Sequence, residues 1–288
     1  MILIADCGGS SCKWLIKSDK VESALLSTPG HNFAISAPGL FCKKVQPLKD
    51  QIGGQTVREL YFFGAGLNSG GKIVNAKKEL NKIFPGAEIY VDSDIVLVGL
   101  SLVGSNKGIC CILGTGSNAI FWNGNGYIKE SPSLGYILGD EASGAFFGKK
   151  ITRDLAYGLL PDELSETLRH RTGMNVEQMI HETYSGEFPN RFLASVFGAL
   201  TDKFVHPYMV EMLRKGLELF FAMHVDVYPE ARKFPLYFSG SVAKGLENQI
   251  RRLAGKKGYR VDRIIDRPLD QLDLRDLKAY VNRKRQQN

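Results

Sequence analysis

The sequence predicts an α/β fold made of two similar domains, each with a mixed sheet flanked by helices. The chain has 288 residues, which is long for one hydrophobic core and comfortable for two. The same order of predicted elements also occurs twice, which indicates a structural duplication. We therefore expect two domains with a central cleft, residues 1–105 and residues 106–288.

In the first half, three predicted strands precede alternating helices and strands. Apolar runs at 2–6, 13–17 and 21–27 are joined by short turns of Gly/Ser and Ser-Asp-Lys composition, which is typical of an antiparallel meander. The alternation that follows predicts parallel crossovers. Its elements are a helix near 41–52, a strand at 59–66, a helix near 71–83, a strand at 87–92 and a helix near 94–104.

The second half repeats this order and adds a long helical insert. Apolar runs at 108–114, 119–124 and 126–131, separated by Gly/Asn turns, predict a second meander. The later elements are a mostly helical insert at about 140–228, a strand at 235–240, a helix near 244–254, a strand at 258–262 and a helix near 270–282.

Composition and charge narrow the classes of function. Hydrophobic residues make up 44% of the chain, charged residues make up 23%, and no apolar run is long enough for a membrane span. The N-terminus lacks the basic region of a secretory signal, so we expect a first strand and a cytoplasmic protein. The net charge of +7 lies partly at 251–263 and 278–288. Without a basic face interleaved with aromatic residues, it does not predict nucleic-acid binding.

The cysteines are typical of reduced thiols. Their number is odd and they form no C-x-x-C pair, which argues against a disulfide framework and against a zinc site. They are Cys7, Cys12, Cys42, Cys110 and Cys111.

A glycine-rich turn joins the first two strands of each meander, at 7–11 and at 114–118. Glycine lets the backbone approach a ligand closely, and the N–H groups with nearby hydroxyls can hold phosphate oxygens. Either turn alone also suits an ordinary hairpin. Their equivalent places in the two halves favour a pair of phosphate loops.

Asp6 ends the first buried strand, directly before the first glycine turn. A carboxylate there is costly unless it is solvated, paired or bound to a metal. It could hold Mg²⁺ partly through water during phosphoryl transfer, or it could cap its own turn. Lys13 could assist the phosphates, or it could point to solvent.

Six motifs lie along the chain in a fixed order. They are Asp6-Cys7-Gly8-Gly9-Ser10 with Lys13, YFFGAG at 61–66, Asp94, LGTGSNA at 113–119, LGYILGDEASG at 134–144 and FSGSVAKG at 238–245. Together they resemble the N-acetylglucosamine kinase family, which shares the actin-like and sugar kinase superfamily with the activator ATPases of benzoyl-CoA reductase and 2-hydroxyglutaryl-CoA dehydratase. The resemblance covers nearly the whole chain.

The resemblance implies two ribonuclease-H-like domains, as in actin-like ATPases, with ATP bound in the cleft. It assigns one phosphate loop to each domain and an adenosine-binding turn to the second. The implied ATP-binding residues are Gly8, Gly9, Ser10, Lys13, Gly114, Thr115, Gly116, Gly240 and Ser241.

The resemblance also implies a catalytic base and a sugar site. Asp94 matches the base, which takes the proton of the attacking hydroxyl. Asp92 is the rival because it lies two residues earlier on the same predicted strand. Asp94 could instead cap the next helix. The implied sugar-binding residues are Asn32, Ser117, Asn118, Gly135 and Asp140. Asp140 and Glu141 could alternatively be first-turn acids of a helix starting near 140.

The leading hypothesis is an ATP- and Mg²⁺-dependent kinase for an amino sugar, first of all N-acetylglucosamine, giving N-acetylglucosamine 6-phosphate. Leu134 stands where the family commonly has an aromatic residue, so N-acetylmuramic acid or glucosamine stays an alternative. An activator ATPase for a partner enzyme is a further alternative, although the cysteines do not form its cluster-ligand set. The expected partner is a small sugar, with a homodimer left open.

Overall fold

The chain forms two units in the computed structural model, which describes residues 1–18, 21–33, 39–67 and 69–287. One unit comprises Met1–Ser105 together with Pro268–Asn288, and the other comprises Asn106–Arg267. Among the described residues, no helix has the length and apolar character needed to cross a membrane.

The sheet of the first unit has five strands in the order β3-β2-β1-β4-β5. Its strands are β1 (Ile2–Cys7), β2 (Ser11–Ser18), β3 (Val21–Pro29), β4 (Glu59–Gly64) and β5 (Glu88–Ser93). The first three strands pair antiparallel, and β1, β4 and β5 pair parallel. The predicted meander and crossovers therefore form one mixed sheet.

One face of this sheet carries the hydrophobic core of the first unit. Helices α1 (Leu40–Gln51) and α2 (Gly70–Ile83) pack there, and α3 (Asp94–Leu102) follows β5. The core includes Leu3, Ala5 and Cys7. Because side chains alternate along a strand, Asp6 projects from the opposite face.

The second unit repeats the strand arrangement of the first. Its strands are β6 (Gly108–Leu113), β7 (Ser117–Trp122), β8 (Tyr127–Glu130), β9 (Leu236–Ser239) and β10 (Val261–Ile265). They lie in the order β8-β7-β6-β9-β10, with β6, β7 and β8 antiparallel and β6, β9 and β10 parallel. The fold class predicted from the sequence is confirmed in this duplicated mixed sheet.

Helices surround the second sheet and fill most of the segment between β8 and β9. They are α4 (Gly135–Leu138), α5 (Gly144–Ala156), α6 (Asp162–Thr172), α7 (Val176–Ser185), α8 (Pro189–Gly198) and α9 (Pro207–Phe220), then α10 (Ser241–Gly245) and α11 (Glu247–Lys256) after β9. A π-helical turn, Phe221–Val225, extends α9 directly. The close approach of α5 and α8 requires Gly148, since a Cβ there would lie 1.7 Å from the Leu193 carbonyl oxygen.

The C-terminal helix α12 (Leu274–Gln287) belongs to the first unit. We expected it in the C-terminal domain, and the structure corrects this assignment for Pro268–Asn288. The reason is tertiary contact: Lys278 Nζ donates to Glu59 at 3.0 Å, and Tyr280 Oη donates to Asp92 at 3.4 Å.

Candidate active site

The first glycine loop links β1 to β2 and is held by backbone hydrogen bonds. The Gly8 N–H donates to the Ser11 carbonyl at 3.0 Å, which closes the turn. The Gly30 N–H donates to the Ser10 carbonyl and the His31 N–H donates to the Gly8 carbonyl, both at 3.1 Å. The chain leaving β3 therefore fixes the conformation of this loop.

Gly30 is a residue of this loop environment that the sequence analysis did not assign. A Cβ at Gly30 would lie 2.3 Å from the Gly8 carbonyl oxygen and 2.5 Å from the Ser11 nitrogen. Those neighbours are backbone atoms that cannot move aside cheaply. Only glycine fits, and the local signal was the Pro-Gly pair that ends the third predicted strand.

Asp6 and Lys13 face each other across β1 and β2. Burial raises the pKa of the Asp6 carboxyl to about 7, with the negative charge of Asp94 as the second cause. Lys13 Nζ donates to Ser27 Oγ at 3.0 Å, on the next strand. Asp94 therefore lies near enough to influence Asp6 electrostatically, and Lys13 has a partner on β3.

Asp94 is the first residue of α3, directly after β5. Its carboxylate Oδ1 accepts from the Ile95 N–H at 3.0 Å and from Ser93 Oγ at 3.2 Å. Ser93 occupies the N-cap position of α3, so the capping role considered for Asp94 is wrong. Asp94 is instead an acidic residue in the first turn of the helix. A carboxylate there is favoured by the helix dipole.

Asp92, the rival for the base, is engaged in structural contacts. Its carboxylate accepts from Tyr90 Oη at 2.6 Å, from the Ser93 N–H at 2.8 Å and from Tyr280 Oη at 3.4 Å. Burial raises the pKa of Asp92, and these hydrogen bonds oppose the rise. Asp92 is therefore suited to joining β5 to α12.

Asn32 lies in the segment between β3 and α1, next to the buried side chain of His31. The His31 ring packs edge-on against Phe33, with 4.5 Å between ring centroids. The Phe33 N–H donates to the Ala65 carbonyl at 3.0 Å, which ties this segment to the end of β4. Residues 34–38, which follow, lie outside the described part of the chain.

The second glycine loop links β6 to β7, and the start of α5 binds its carbonyl groups. The Gly144 N–H donates to the Gly114 carbonyl at 2.8 Å, and the Ala145 N–H donates to the Thr115 carbonyl at 3.1 Å. The Gly114 N–H donates to the Gly116 carbonyl at 3.0 Å, within the loop. Like the first loop, this one is fixed by backbone contacts from a neighbouring segment.

Gly240 lies between β9 and α10, with Ser241 as the first residue of that helix. Its φ is +115°, and a Cβ there would lie 2.4 Å from the Leu113 carbonyl oxygen. Glycine is therefore required on two grounds, backbone conformation and close approach. This contact brings the predicted adenosine turn against the residue that precedes the second glycine loop.

The carboxylate of Asp140 packs against the second glycine loop. Its Oδ1 accepts from the Ser117 N–H at 3.2 Å, and a Cβ at Gly116 would lie 3.0 Å from its Oδ2. Burial raises the pKa of Asp140, and the Ser117 N–H counteracts part of the rise. The structure therefore brings Ser117 and Asp140 together, while Asn118 Oδ1 accepts from the adjacent Ala119 N–H at 2.8 Å.

Asp140 and Glu141 are not first-turn acids, because α5 begins only at Gly144. Ser143 is its N-cap, and Ser143 Oγ accepts from the Phe146 N–H at 3.1 Å. The helical alternative for this acidic pair is therefore wrong. The pair belongs to a turn in which Asp140 has a φ of +57°.

Gly135 begins the short helix α4, and its φ of +73° favours glycine. The preceding residue, Leu134, is 57% exposed. Leu134 shares this exposure with Ile137 and Leu138 of α4.

The described residues contain no cluster of three or more His, Cys, Asp or Glu side chains arranged for a metal ion. Mg²⁺ bound with nucleotide needs fewer protein ligands, commonly one or two carboxylates with water and phosphate oxygens. The half-buried Asp6 side chain, whose pKa is raised by burial and by the charge of Asp94, is the kind of group that a cation stabilises in its ionised form.

Comparison with solved structures relates the whole chain to sugar kinases. A candidate N-acetylglucosamine kinase from Porphyromonas gingivalis superposes with a TM-score of 0.87 at 29% identity, covering 97% of this chain and 98% of that one. Over nearly its whole length the chain is therefore similar to a candidate N-acetylglucosamine kinase. No protein-family model and no curated protein matches it.

More distant structures show the same fold. A candidate N-acetylglucosamine kinase from Chromobacterium violaceum gives a TM-score of 0.69 at 18% identity, covering 91% of this chain and 93% of that one. A ROK family glucokinase from Streptomyces griseus, solved with glucose and AMPPNP, gives 0.52 at 15% identity, with coverages of 91% and 93%.

These relationships confirm the family resemblance and the actin-like fold class predicted from the motifs. The chain is thus a sugar kinase.

Proposed function

We propose that this protein is an ATP-dependent kinase that phosphorylates a hydroxyl of an amino sugar, N-acetylglucosamine first, to give N-acetylglucosamine 6-phosphate. One observation carries the phosphoryl-transfer chemistry: the parallel strands β1, β4 and β5 place Asp6 and Asp94 at the same, carboxyl edge of the first sheet, where β1 enters the first glycine loop. The full-length similarity to a candidate N-acetylglucosamine kinase supports the choice of sugar.

In this proposal both glycine loops bind phosphate oxygens of ATP. Gly8, Gly9, Ser10 and Lys13 serve in the first loop, and Gly114, Thr115 and Gly116 serve in the second. The rigid backbone hydrogen bonding of each loop supports this role, because a preformed loop loses little entropy when the phosphates bind. Gly240 and Ser241 contact the adenosine.

Asp6 would hold Mg²⁺, partly through water, and the ion would neutralise charge on the phosphate oxygens during transfer. The raised pKa of Asp6 supports this assignment. Its carboxylate is costly to ionise in the protein alone, and a bound cation would offset that cost.

Asp94 acts as the general base in this proposal. A carboxylate that accepts the proton of the sugar hydroxyl typically contributes about 10²- to 10⁴-fold to the rate. The position of Asp94 at the start of α3 supports this role, since the helix start fixes its backbone. Asp92 instead joins β5 to α12 through Tyr90 and Tyr280.

The sugar is bound by Asn32, Ser117, Asn118, Gly135 and Asp140. Carboxylate and amide groups suit sugar hydroxyls and an acetamido group, because they accept or donate several hydrogen bonds. Among the described residues, Ser117 Oγ is a buried hydroxyl without a hydrogen-bond partner. A polar ligand at this loop would satisfy it.

A second candidate is the same reaction on another amino sugar, such as N-acetylmuramic acid or glucosamine. The observation that favours it is the aliphatic, exposed side chain of Leu134 at a position where the family commonly has an aromatic residue. The proposal places the protein in the cytoplasm and leaves a homodimer open. An activator ATPase gains no support, because Cys7, Cys12, Cys110 and Cys111 are buried.

A coupled ATP-consumption assay tests the proposal across N-acetylglucosamine, N-acetylmuramic acid, N-acetylmannosamine, glucosamine and glucose. We expect ADP formation that depends on an N-acetylated sugar and on added Mg²⁺, and that stops with excess EDTA. ATP hydrolysis at the same rate with and without every sugar would contradict a sugar kinase of this specificity.

A further inference from the structure

A buried network of three hydrogen-bonded side chains, Glu141, His224 and Ser131, includes part of the acidic turn of the second unit, residues 140–142. His224 Nε2 lies 2.8 Å from Glu141 Oε2, and His224 Nδ1 lies 2.8 Å from Ser131 Oγ. The His224 side chain is 5% exposed and the Glu141 side chain is 15% exposed. None of the roles assigned to the sequence motifs explains this network.

The network joins two segments that carry proposed sugar-binding residues, one around Asn118 and one around Asp140. At one end, the Ser131 N–H donates to the Ala119 carbonyl at 3.1 Å, one residue beyond Asn118. Tyr228 Oη donates to the same carbonyl at 2.7 Å. At the other end, Glu141 directly follows Asp140. His224 thus lies between β7 and the acidic turn.

The backbone of the acidic turn needs such support. Asp140 and Ala142 have φ values of +57° and +58°, and they flank Glu141. Non-glycine residues in this left-handed region cost on the order of 1 kcal/mol each and persist only when surrounding contacts enforce them. The contact from His224 to Glu141 is placed between the two strained residues.

The local fold of α9 is arranged to present His224. The residue lies on the π-helical turn Phe221–Val225, which is a rare conformation that often occurs at functional sites. The Phe220 ring stacks on the His224 ring, with 5.0 Å between ring centroids. Both ring nitrogens therefore keep fixed directions, one toward Glu141 and one toward Ser131.

The hydrogen-bond partners determine which ring nitrogen of His224 donates and which accepts. A carboxylate can only accept, so Nε2 carries a hydrogen and donates it to Glu141. In the neutral ring, Nδ1 then accepts the Ser131 hydroxyl proton. The bond to Glu141 is charge-assisted, which makes it the stronger of the two.

We propose that His224 is a positioning residue of the sugar site: through Glu141 it fixes the carboxylate of Asp140, and through Ser131 it fixes the strand that carries Ser117 and Asn118. The inference rests on the proposed function of these residues in sugar binding. His224 itself does not touch the sugar.

Two substitutions of His224 distinguish its contact with Glu141 from its contact with Ser131. In His224→Gln the side-chain amide nitrogen can take the place of Nε2 and still donate to Glu141. In His224→Asn the amide can take the place of Nδ1 and reaches only Ser131. We expect His224→Asn to raise the KM for the sugar about tenfold while the KM for ATP stays within twofold. His224→Gln should stay within threefold of the wild type for both.

Hydrogen exchange gives a readout that does not depend on activity. The Ser117 N–H donates to Asp140, so its exchange reports how firmly the carboxylate is held. We expect about tenfold faster exchange of this amide in His224→Asn and near-wild-type exchange in His224→Gln. The exchange rates of the two variants are measured at temperatures that lie the same number of degrees below their respective melting temperatures.

Equal effects of the two substitutions on sugar KM or on Ser117 exchange would overturn the inference, as would a matching rise in the KM for ATP. If the wild type phosphorylates no sugar, the proposed function fails. The exchange measurement then still decides whether His224 positions Asp140.

Discussion

Burial raises the pKa of Asp6, at the end of β1, to about 7, and the charge of Asp94, on the first turn of α3, adds to the rise. The two carboxylates come from segments 88 positions apart in the sequence and share the carboxyl edge of the sheet because β1, β4 and β5 are parallel neighbours. Such a pair concentrates negative charge beside a glycine loop. We interpret the arrangement as a site for a cation and a base, and the predictions below test its parts.

Replacing Asp6 with Asn should make the stability of the nucleotide-free protein less dependent on pH. The folded-state pKa of about 7 exceeds the ordinary value of 3.8, so the folded protein retains a proton between these pH values and loses stability as the pH rises through them. Asn removes this cost. We expect its stabilising effect to grow by about 2 kcal/mol between pH 5 and pH 8.

Urea unfolding of both proteins without Mg²⁺ or ATP measures this difference. A stabilisation by Asp6→Asn that is the same at pH 5 and pH 8 would show that the carboxyl is not held protonated by the fold. Adding Mg²⁺ with ATP should stabilise the wild type more than the variant.

Replacing Asp92 with Asn should affect stability more than chemistry. The carboxylate accepts hydrogen bonds from Tyr90, Ser93 and Tyr280, and loss of its charge weakens all three. We expect a loss of about 1–3 kcal/mol in the free energy of unfolding and a kcat within threefold of the wild type. A fall in kcat as large as that of Asp94→Asn would instead return Asp92 to the role of base.

Replacing Gly30 with Ala should distort the first glycine loop. The new Cβ would press on the backbone of Gly8 and Ser11, and relief requires a shift of that loop. We expect a loss of about 1–3 kcal/mol of stability and a several-fold higher KM for ATP. Gly71→Ala is the matched control, because nothing lies within 4 Å of a Cβ there. Identical unfolding curves and KM values for the two variants would refute the close-approach argument.

Replacing Leu134 with Trp should improve the use of N-acetylglucosamine. Leu134 is 57% exposed, so a larger ring is accommodated without repacking. An aromatic face packed on the sugar is worth roughly 0.5–1.5 kcal/mol, or about a two- to tenfold lower KM. Leu138→Trp, at a residue that is 74% exposed, is the control. An unchanged KM in Leu134→Trp, or the same change in both variants, would argue against contact between this position and the sugar.

The antiparallel meanders and the parallel crossovers were predictable from the sequence because their signals are local. Short turns of Gly, Ser and Asn between apolar runs specify antiparallel neighbours, and helices between apolar strands specify parallel ones. Boundaries were less accurate. The predicted strand at 258–262 is observed at Val261–Ile265, because the Gly258 and Tyr259 N–H groups still bind the carbonyls that end α11.

The placement of α12 and the roles of Gly30 and His224 could not be predicted in this way. Tyr280 and Asp92 are 188 positions apart, and Glu141 and His224 are 83 apart. Contacts at such separations depend on the assembled fold and leave no local pattern. Asp6 was proposed from the sequence because its carboxylate directly precedes a glycine-rich turn, whereas Asp140 was proposed only from the family resemblance.

The most direct test of the account is the rate of phosphate transfer to N-acetylglucosamine by wild type and Asp94→Asn, followed by ³¹P NMR. Sugar and ATP dissociation constants of both proteins are measured by calorimetry as the control for folding and binding. We predict N-acetylglucosamine 6-phosphate as the wild-type product, and a kcat reduced about 10²- to 10⁴-fold in the variant with both dissociation constants within threefold. A variant that forms the same product at a rate within threefold of the wild type would contradict the assignment of Asp94 as the base.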